Sequence, residues 1–187
     1  MNCSVLIATS ADGYIATGNG DVSWLETAGR QDVDMGEDAD MGFAEFLAGV
    51  DCIVMGRKTM EKIASFNLDD SKWPYGDLPI FVLSKALQAP PKILISKVEI
   101  HNKEISELVS RLEKDGFKNA YIDGGATITA FLNLKLIKEM TITRAPILLG
   151  EGIPLFGKLD QPIRLYTIST KYYPNGFVQI RYQVHYD

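Results

Sequence analysis

Two short apolar runs in this chain end in glycine and pass directly into a helical pattern. "CIVMG" (52–56) leads into "RKTMEKI", and "NAYIDGG" (119–125) leads into "ATITAFLNLKLI". Runs that are apolar on both faces are strands covered by helices on each side. A strand that turns at once into a helix is the first half of a parallel crossover unit. Two such units set the class: an α/β domain built on a mainly parallel sheet.

The remaining pattern extends that sheet and then closes it. "CSVLIAT" (3–9) reads as a buried first strand, followed by the turn-rich "SADGYIATGNGD". Residues 26–40 are acidic and irregular. "MGFAEFLAGVD" (41–51) spaces Phe43, Phe46, Leu47 and Val50 along one face of a short helix. "PIFVLS" (79–84) and "ILISK" (93–97) read as further strands, and "EISELVSRLEKDG" (104–116) as a helix with Gly116 as its C-cap. "EMTITRAPILL" (139–149) reads as a strand. Residues 164–186 form a hairpin about Pro-Asn-Gly. In it Val178, Ile180, Tyr182, Val184 and Tyr186 face the core, while Gln179, Arg181, Gln183 and His185 face water. With 187 residues and no linker or repeat, one domain over 1–187 is expected.

Charge and composition narrow the partners. A net charge of −5 leaves no broad basic face for nucleic acid or an anionic membrane. Cys3 and Cys52 sit in apolar runs and read as buried thiols, and two histidines without a CxxC pair give no metal site. The N-terminal "MNCSVLIATS" lacks a basic n-region and is too short in apolar residues for a signal or a span. A soluble cytoplasmic protein is the expectation.

Glycine at the start of a helix lets a phosphate approach bare N–H groups. In "GRKT", Gly56 is followed by Arg57, a planar fork suited to phosphate oxygens, then Lys58 and the hydroxyl of Thr59. The usual phosphate motifs do not fit: "GRKT" lacks the upstream glycine and the Lys of a P-loop, and "GNGDVS" (18–23) lacks the last glycine of GxGxxG. From the residues alone, two readings stay open: structural glycines at strand ends, or a dinucleotide held by two such turns.

"SADGYIAT", "VMGRKTME", "VLSK", "DGGATI" and "TRAPILLGEGIPLF", in that order, resemble the dihydrofolate reductase superfamily. They are closest to its branch of riboflavin-pathway reductase domains and stand-alone relatives. The resemblance implies a three-layer dihydrofolate reductase-like α/β fold, with a mostly parallel central sheet and a C-terminal antiparallel hairpin. It also implies NADPH as cofactor and a homodimer. On the cofactor side it points to Gly56, Arg57, Lys58 and Thr59 at the phosphates. Leu83 and Ser84 fall along the adenosine, with Lys85 as a second cation for the 2′-phosphate. Gly124 and Gly125, with Ala126 and Thr127 after them, fall at the pyrophosphate, and Ala8 and Ile15 at the nicotinamide.

On the substrate side the resemblance implies Asp40, sixteen residues before Gly56, as a catalytic carboxylate supported by Thr143. Asp is equally suited to cap the helix that follows, and both roles stay open. Ser10 and Asp12 either face substrate or shape their loop, and Glu151 is placed to contact a sugar or an amine. The zinc deaminase signatures HxE and PCxxC are absent. Arg144 is the best candidate to meet a ribose phosphate, against the plainer reading of a solvated strand face. The implied activity is NADPH-dependent reduction of a small pteridine or aminopyrimidine, including 5-amino-6-(5-phosphoribosylamino)uracil. A true dihydrofolate reductase and a non-catalytic nucleotide-binding relative are the alternatives.

Overall fold

The computed structural model describes residues 1–187. In chain order its elements are β1 (Asn2–Thr9), β2 (Tyr14–Ala16), α1 (Trp24–Thr27), α2 (Phe43–Ala48), β3 (Cys52–Gly56), α3 (Arg57–Ser65), β4 (Ile80–Leu83) and β5 (Val98–His101). There follow α4 (Ile105–Lys114), β6 (Asn119–Asp123), α5 (Gly125–Asn133), β7 (Ile137–Arg144), β8 (Ile153–Pro154), β9 (Arg164–Tyr172) and β10 (Val178–His185). Eight strands form one sheet in the order β5-β4-β3-β6-β1-β7-β10-β9, and β2 pairs separately with β8. Six of the eight run parallel; β10 is antiparallel to β7, and β9 to β10. The parallel sheet closed by a C-terminal hairpin is the architecture that the strand–helix alternation implies.

Both sheet faces are covered, which is why the central strands carry no polar alternation. Leu108 and Leu112 of α4 and Ile128 and Phe131 of α5 pack on Cys3, Val5, Cys52, Val54 and Ile122. On the opposite face Met60 of α3 packs with Ile53, Met55, Ile80, Val82 and Tyr121, and the Phe46 ring of α2 meets Tyr121 edge-on at 5.1 Å. Each fully buried side chain of this size contributes about 1.5–3 kcal/mol. Cys3 and Cys52 are buried free thiols, and burial pushes them up to about 11 and about 12. No helix is long and apolar enough to cross a membrane.

Two segments differ from the sequence expectation. "ILISK" is not a strand: Lys92–Leu94 is a 3-10 turn after Pro91, only Leu94 is buried, and the edge strand begins at Val98. Adjacent prolines at 90–91 set a turn where apolar content alone suggests a strand. The strand expected over 139–149 ends at Arg144. Ala145 still donates to the Thr9 carbonyl (2.8 Å), but Pro146 has no N–H with which to continue the ladder.

One feature of the register positions the site. β1 pairs with β6 only as far as Ser4↔Tyr121. Beyond that point β1 continues along β7 to Thr9↔Arg144, while β6 continues along β3 to Asp123. The sheet therefore splits at its carboxyl edge. The Tyr121 hydroxyl bridges the root of the split by donating to the Leu6 carbonyl (2.9 Å).

Candidate functional site

The two strand–glycine–helix units lie side by side, because β3 and β6 are neighbours. Gly56 is the N-cap of α3 and Gly124 the N-cap of α5, and neither helix receives a side-chain cap. Each helix thus presents its first N–H groups bare, at the positive end of its dipole, on the same edge of the sheet. Their spacing is tight. A Cβ on Gly124, which has φ +90°, would lie 2.2 Å from Thr59 Oγ1; one on Gly56 would lie 2.8 Å from Thr127 Oγ1. On Gly125 a Cβ would meet the carbonyls of Leu155 and Pro154 at 2.8 and 2.9 Å and Ile15 Cδ1 at 3.1 Å. All three glycines are thus required by the protein's own packing, which brings two uncapped N-termini together.

Positive charge gathers at this edge. Arg57 is exposed and paired with Glu61 one turn on (2.8 Å), Lys58 is exposed with no ion pair, and Lys85 is paired with Glu104 (2.6 Å). Such exposed pairs contribute little and exchange readily for a better anion. Leu83 is half-buried beside Gly56 in the β3–β4 register. The Ser84 N–H donates to the His101 carbonyl (3.0 Å), and its hydroxyl accepts from Leu87 N (3.1 Å). Ala126 is exposed on the first turn of α5. Ala8 pairs with Thr143 on β7, at the lip of the split opposite Asp123 and Gly124.

The structure gives Asp40 and Thr143 different partners. Asp40 is exposed, and its two oxygens accept from Gly42 N and Ala44 N (both 2.9 Å), which caps the first turn of α2. Those two backbone bonds hold its carboxyl below the usual range. Thr143 is buried and accepts from Gln179 Nε2 (2.9 Å), which also donates to the Met41 carbonyl (3.0 Å). The Tyr173 hydroxyl lies 3.1 Å from Gln179 Oε1 and 3.2 Å from the same carbonyl. The Asp40–Thr143 contact that the resemblance implies is replaced by this Thr143–Gln179–Met41 link.

Ser10 and Asp12 form a loop clamp. The Ser10 hydroxyl donates to Asp12 Oδ1 (2.5 Å), and the Asp12 carboxylate accepts from Leu149 N (3.2 Å) and Gly150 N (2.7 Å). The serine bond first, then the backbone bonds, hold Asp12 below its ordinary value. These bonds tie the loop after β1 to the backbone at 149–150. Glu151 is exposed.

Asp123 was not singled out by the sequence. It stands on the split's β6 lip, on the same face as Tyr121, and its Oδ1 accepts from Gly124 N (2.8 Å). Enclosure by protein lifts its carboxyl to about 6 against the lowering effect of that bond, while the gap leaves it partial solvent contact. Tyr75 is raised by burial and then by the Asp123 charge. An acid ending an otherwise apolar strand beside two glycines was the available signal. Gln179, expected to face water, is half-buried and bonded. Trp24 is buried with Tyr173 and Phe177, and its indole N–H has no acceptor, an orphaned donor beside the Gln179 network.

Next to the split, on the α2 face of the sheet, lies a groove of about 530 Å³. Ser4, Leu6, Phe46, Thr141, Gln179 and Arg181 are among the residues that line it.

Comparison with known proteins identifies the family and the fold. The uncharacterized protein YyaP of Bacillus subtilis (strain 168) is 35% identical over 94% of this chain and 91% of its own. A crystal structure from Shewanella sp. PV-4, provisionally assigned to riboflavin biosynthesis, superposes over the whole of both chains with TM-score 0.88 at 39% identity. Dihydrofolate reductase from Enterococcus faecalis, complexed with NADP(H), shares the fold alone: TM-score 0.64 and 13% identity over 99% of this chain and 97% of that one. The model of the RibD C-terminal domain family matches residues 4–179, from Ser4 in β1 to the Gln179 that holds Thr143. The chain belongs to the RibD C-terminal domain family.

Proposed function

We propose that this protein is an NADPH-dependent reductase of a small heterocycle. The observation that carries the reading is the pair of uncapped helix N-termini, flanked by Arg57, Lys58 and Lys85, at the mouth of a split between β1 and β6. Two helix dipoles and their free N–H groups suit a pyrophosphate. Arg57 and Lys85, once released from Glu61 and Glu104, suit a 2′-phosphate. Ala8 and Ile15 border the split, where small and apolar side chains leave room for a flat ring. The bound cofactor supplies the hydride.

The chain's own residues then position the acceptor and supply the proton. Thr143 lies behind Gln179, which lines the groove, and its hydroxyl proton is not committed to that bond, since Thr143 Oγ1 is the acceptor. Asp123 can carry a proton near neutrality, which suits general acid work. Asp40, held ionised by its capping bonds, is poorly suited to donate one. Nicotinamide fluorescence titration followed by turnover tests the reading. We expect NADPH to bind and to be oxidised by a pteridine, pyrimidine or quinone-like acceptor. Binding without oxidation by any of these points to the non-catalytic relative; no NADPH binding rejects the reading.

A second copy of the chain is the proposed partner. All nine residues of the edge strand β9 are exposed, among them Leu165, Tyr166, Ile168 and Tyr172. An uncovered apolar edge strand is a liability in a monomer. Light scattering should give a dimer, and Ile168→Lys with Tyr172→Lys should give a monomer of unchanged fold; a monomeric wild type would contradict the assignment.

A further inference from the structure

We propose that the substrate side of this site takes a phosphate-free heterocycle, neutral or cationic, rather than the phosphoribosyl compound that the resemblance implies. The proposal rests on reading the groove beside the split as the substrate side of a reductase.

The two halves of the site differ in charge. The cofactor half has two uncapped helix N-termini and three cations, one of them unpaired. The groove's charged lining is Glu45, Lys138, Glu139 and Arg181, two of each sign. Arg181 directs both Nε and Nη2 at Glu139 Oε2, with the Nε contact at 2.8 Å. That pair bridges neighbouring strands β7 and β10, and the one helix N-terminus that reaches the groove, that of α2 at Gly42, already donates its Gly42 and Ala44 N–H groups to Asp40 rather than to an incoming anion.

Lys138 is the groove's one cation without an ion pair, and it is remote. It lies five residue steps from Thr143 along β7, about 16 Å at roughly 3.3 Å per step. Arg144, the candidate from sequence, follows Thr143 directly along β7 and so projects from the opposite face.

The rim adds negative charge. Residues 26–40 carry Glu26, Asp32, Asp34, Glu37, Asp38 and Asp40 against the single cation Arg30, which pairs with Asp32. The segment is tied to the hairpin beside the groove by Asp38–Lys171 and by Arg30 N to Asn175 O (2.9 Å). Lys171 is thereby neutralised too. A phosphate carried one sugar away from a ring at Thr143 would enter a field set by Glu45 and this rim, with no free cation nearby. Amino and ring N–H groups would instead meet carboxylate and hydroxyl acceptors.

The test uses NADPH-saturated protein and matched pairs of aminopyrimidine and pteridine nucleosides, each with and without a 5′-phosphate. The phosphate-free member should be favoured at least tenfold in kcat/KM or in equilibrium binding. Glu45→Lys should improve binding of the phosphorylated members about tenfold at low salt, with the gain shrinking at high salt. A tenfold preference for phosphorylated members, or binding of no phosphate-free member, overturns the proposal; no gain in Glu45→Lys removes its electrostatic basis. Failure to bind NADPH in the same titration would instead reject the reductase reading itself.

Discussion

Thr59 and Thr127 hold the same position on two different helices, the third residue of α3 and of α5, and each lies against the glycine that caps the other's helix. The threonine hydroxyls leave no room for a Cβ on Gly124 or Gly56, so the two N-termini are held at one fixed separation. A site for a doubly anionic pyrophosphate needs that fixed spacing more than it needs any single side chain.

Gly124→Ala should therefore destabilise the fold and weaken NADPH binding together. The φ of +90° disfavours any L side chain by about 1–2 kcal/mol, and the contact with Thr59 adds to it. In a Thr59→Ala background the same change should cost less, with a coupling of about 0.5–3 kcal/mol in a double-mutant cycle. Strictly additive urea-melt results would show that the two positions do not lock each other.

Asp123→Asn tests the proton donor. Burial raises the native carboxyl to about 6 from an ordinary 3.8. The folded state then holds a proton that the unfolded chain has released. The stabilising contribution is full below about pH 4 and is lost as pH rises through 6. The Asn variant should thus gain stability relative to wild type as pH rises from about 4 to about 6, and keep that gain above it. Its turnover should fall roughly a hundredfold; wild type should show a decline in kcat/KM above about pH 6 that the variant lacks. Wild-type turnover in the variant would place the acid elsewhere.

Asp40→Ala should behave as the loss of a cap, lowering stability by about 1 kcal/mol. NADPH affinity and turnover should stay within about twofold of wild type. A hundredfold fall in turnover would return the catalytic role to this carboxylate.

The sheet was legible because its signals are local: apolar runs, glycines at their ends, and helical spacing after them. The twin N-termini followed from "GRKT" and "DGGAT" for the same reason. Asp123 was not legible, since its enclosure depends on where β1 leaves β6, a register between residues 115 or more apart in sequence. Gln179 sits on the polar side of an alternating strand, and only the long-range contact with Met41, 138 residues away, takes it out of water. The Ser10–Asp12 motif was visible, but its bond to a loop 137 residues further on was not. At 93–97 local apolar content outweighed the two prolines before it, and the reading failed there.

The affinity of the wild-type protein and of Arg57→Ala for NADPH and NADH, measured side by side by nicotinamide fluorescence, tests the cofactor assignment most directly. A charge-assisted contact to phosphate contributes about 1.5–3 kcal/mol, and each 1.4 kcal/mol is about tenfold in affinity. Wild type should prefer NADPH by at least about tenfold. Arg57→Ala should weaken NADPH by roughly ten- to a hundredfold and NADH far less, with Lys85→Ala showing the same asymmetry more weakly. Equal wild-type affinity for the two nucleotides, or an equal loss of both in Arg57→Ala, would contradict the account.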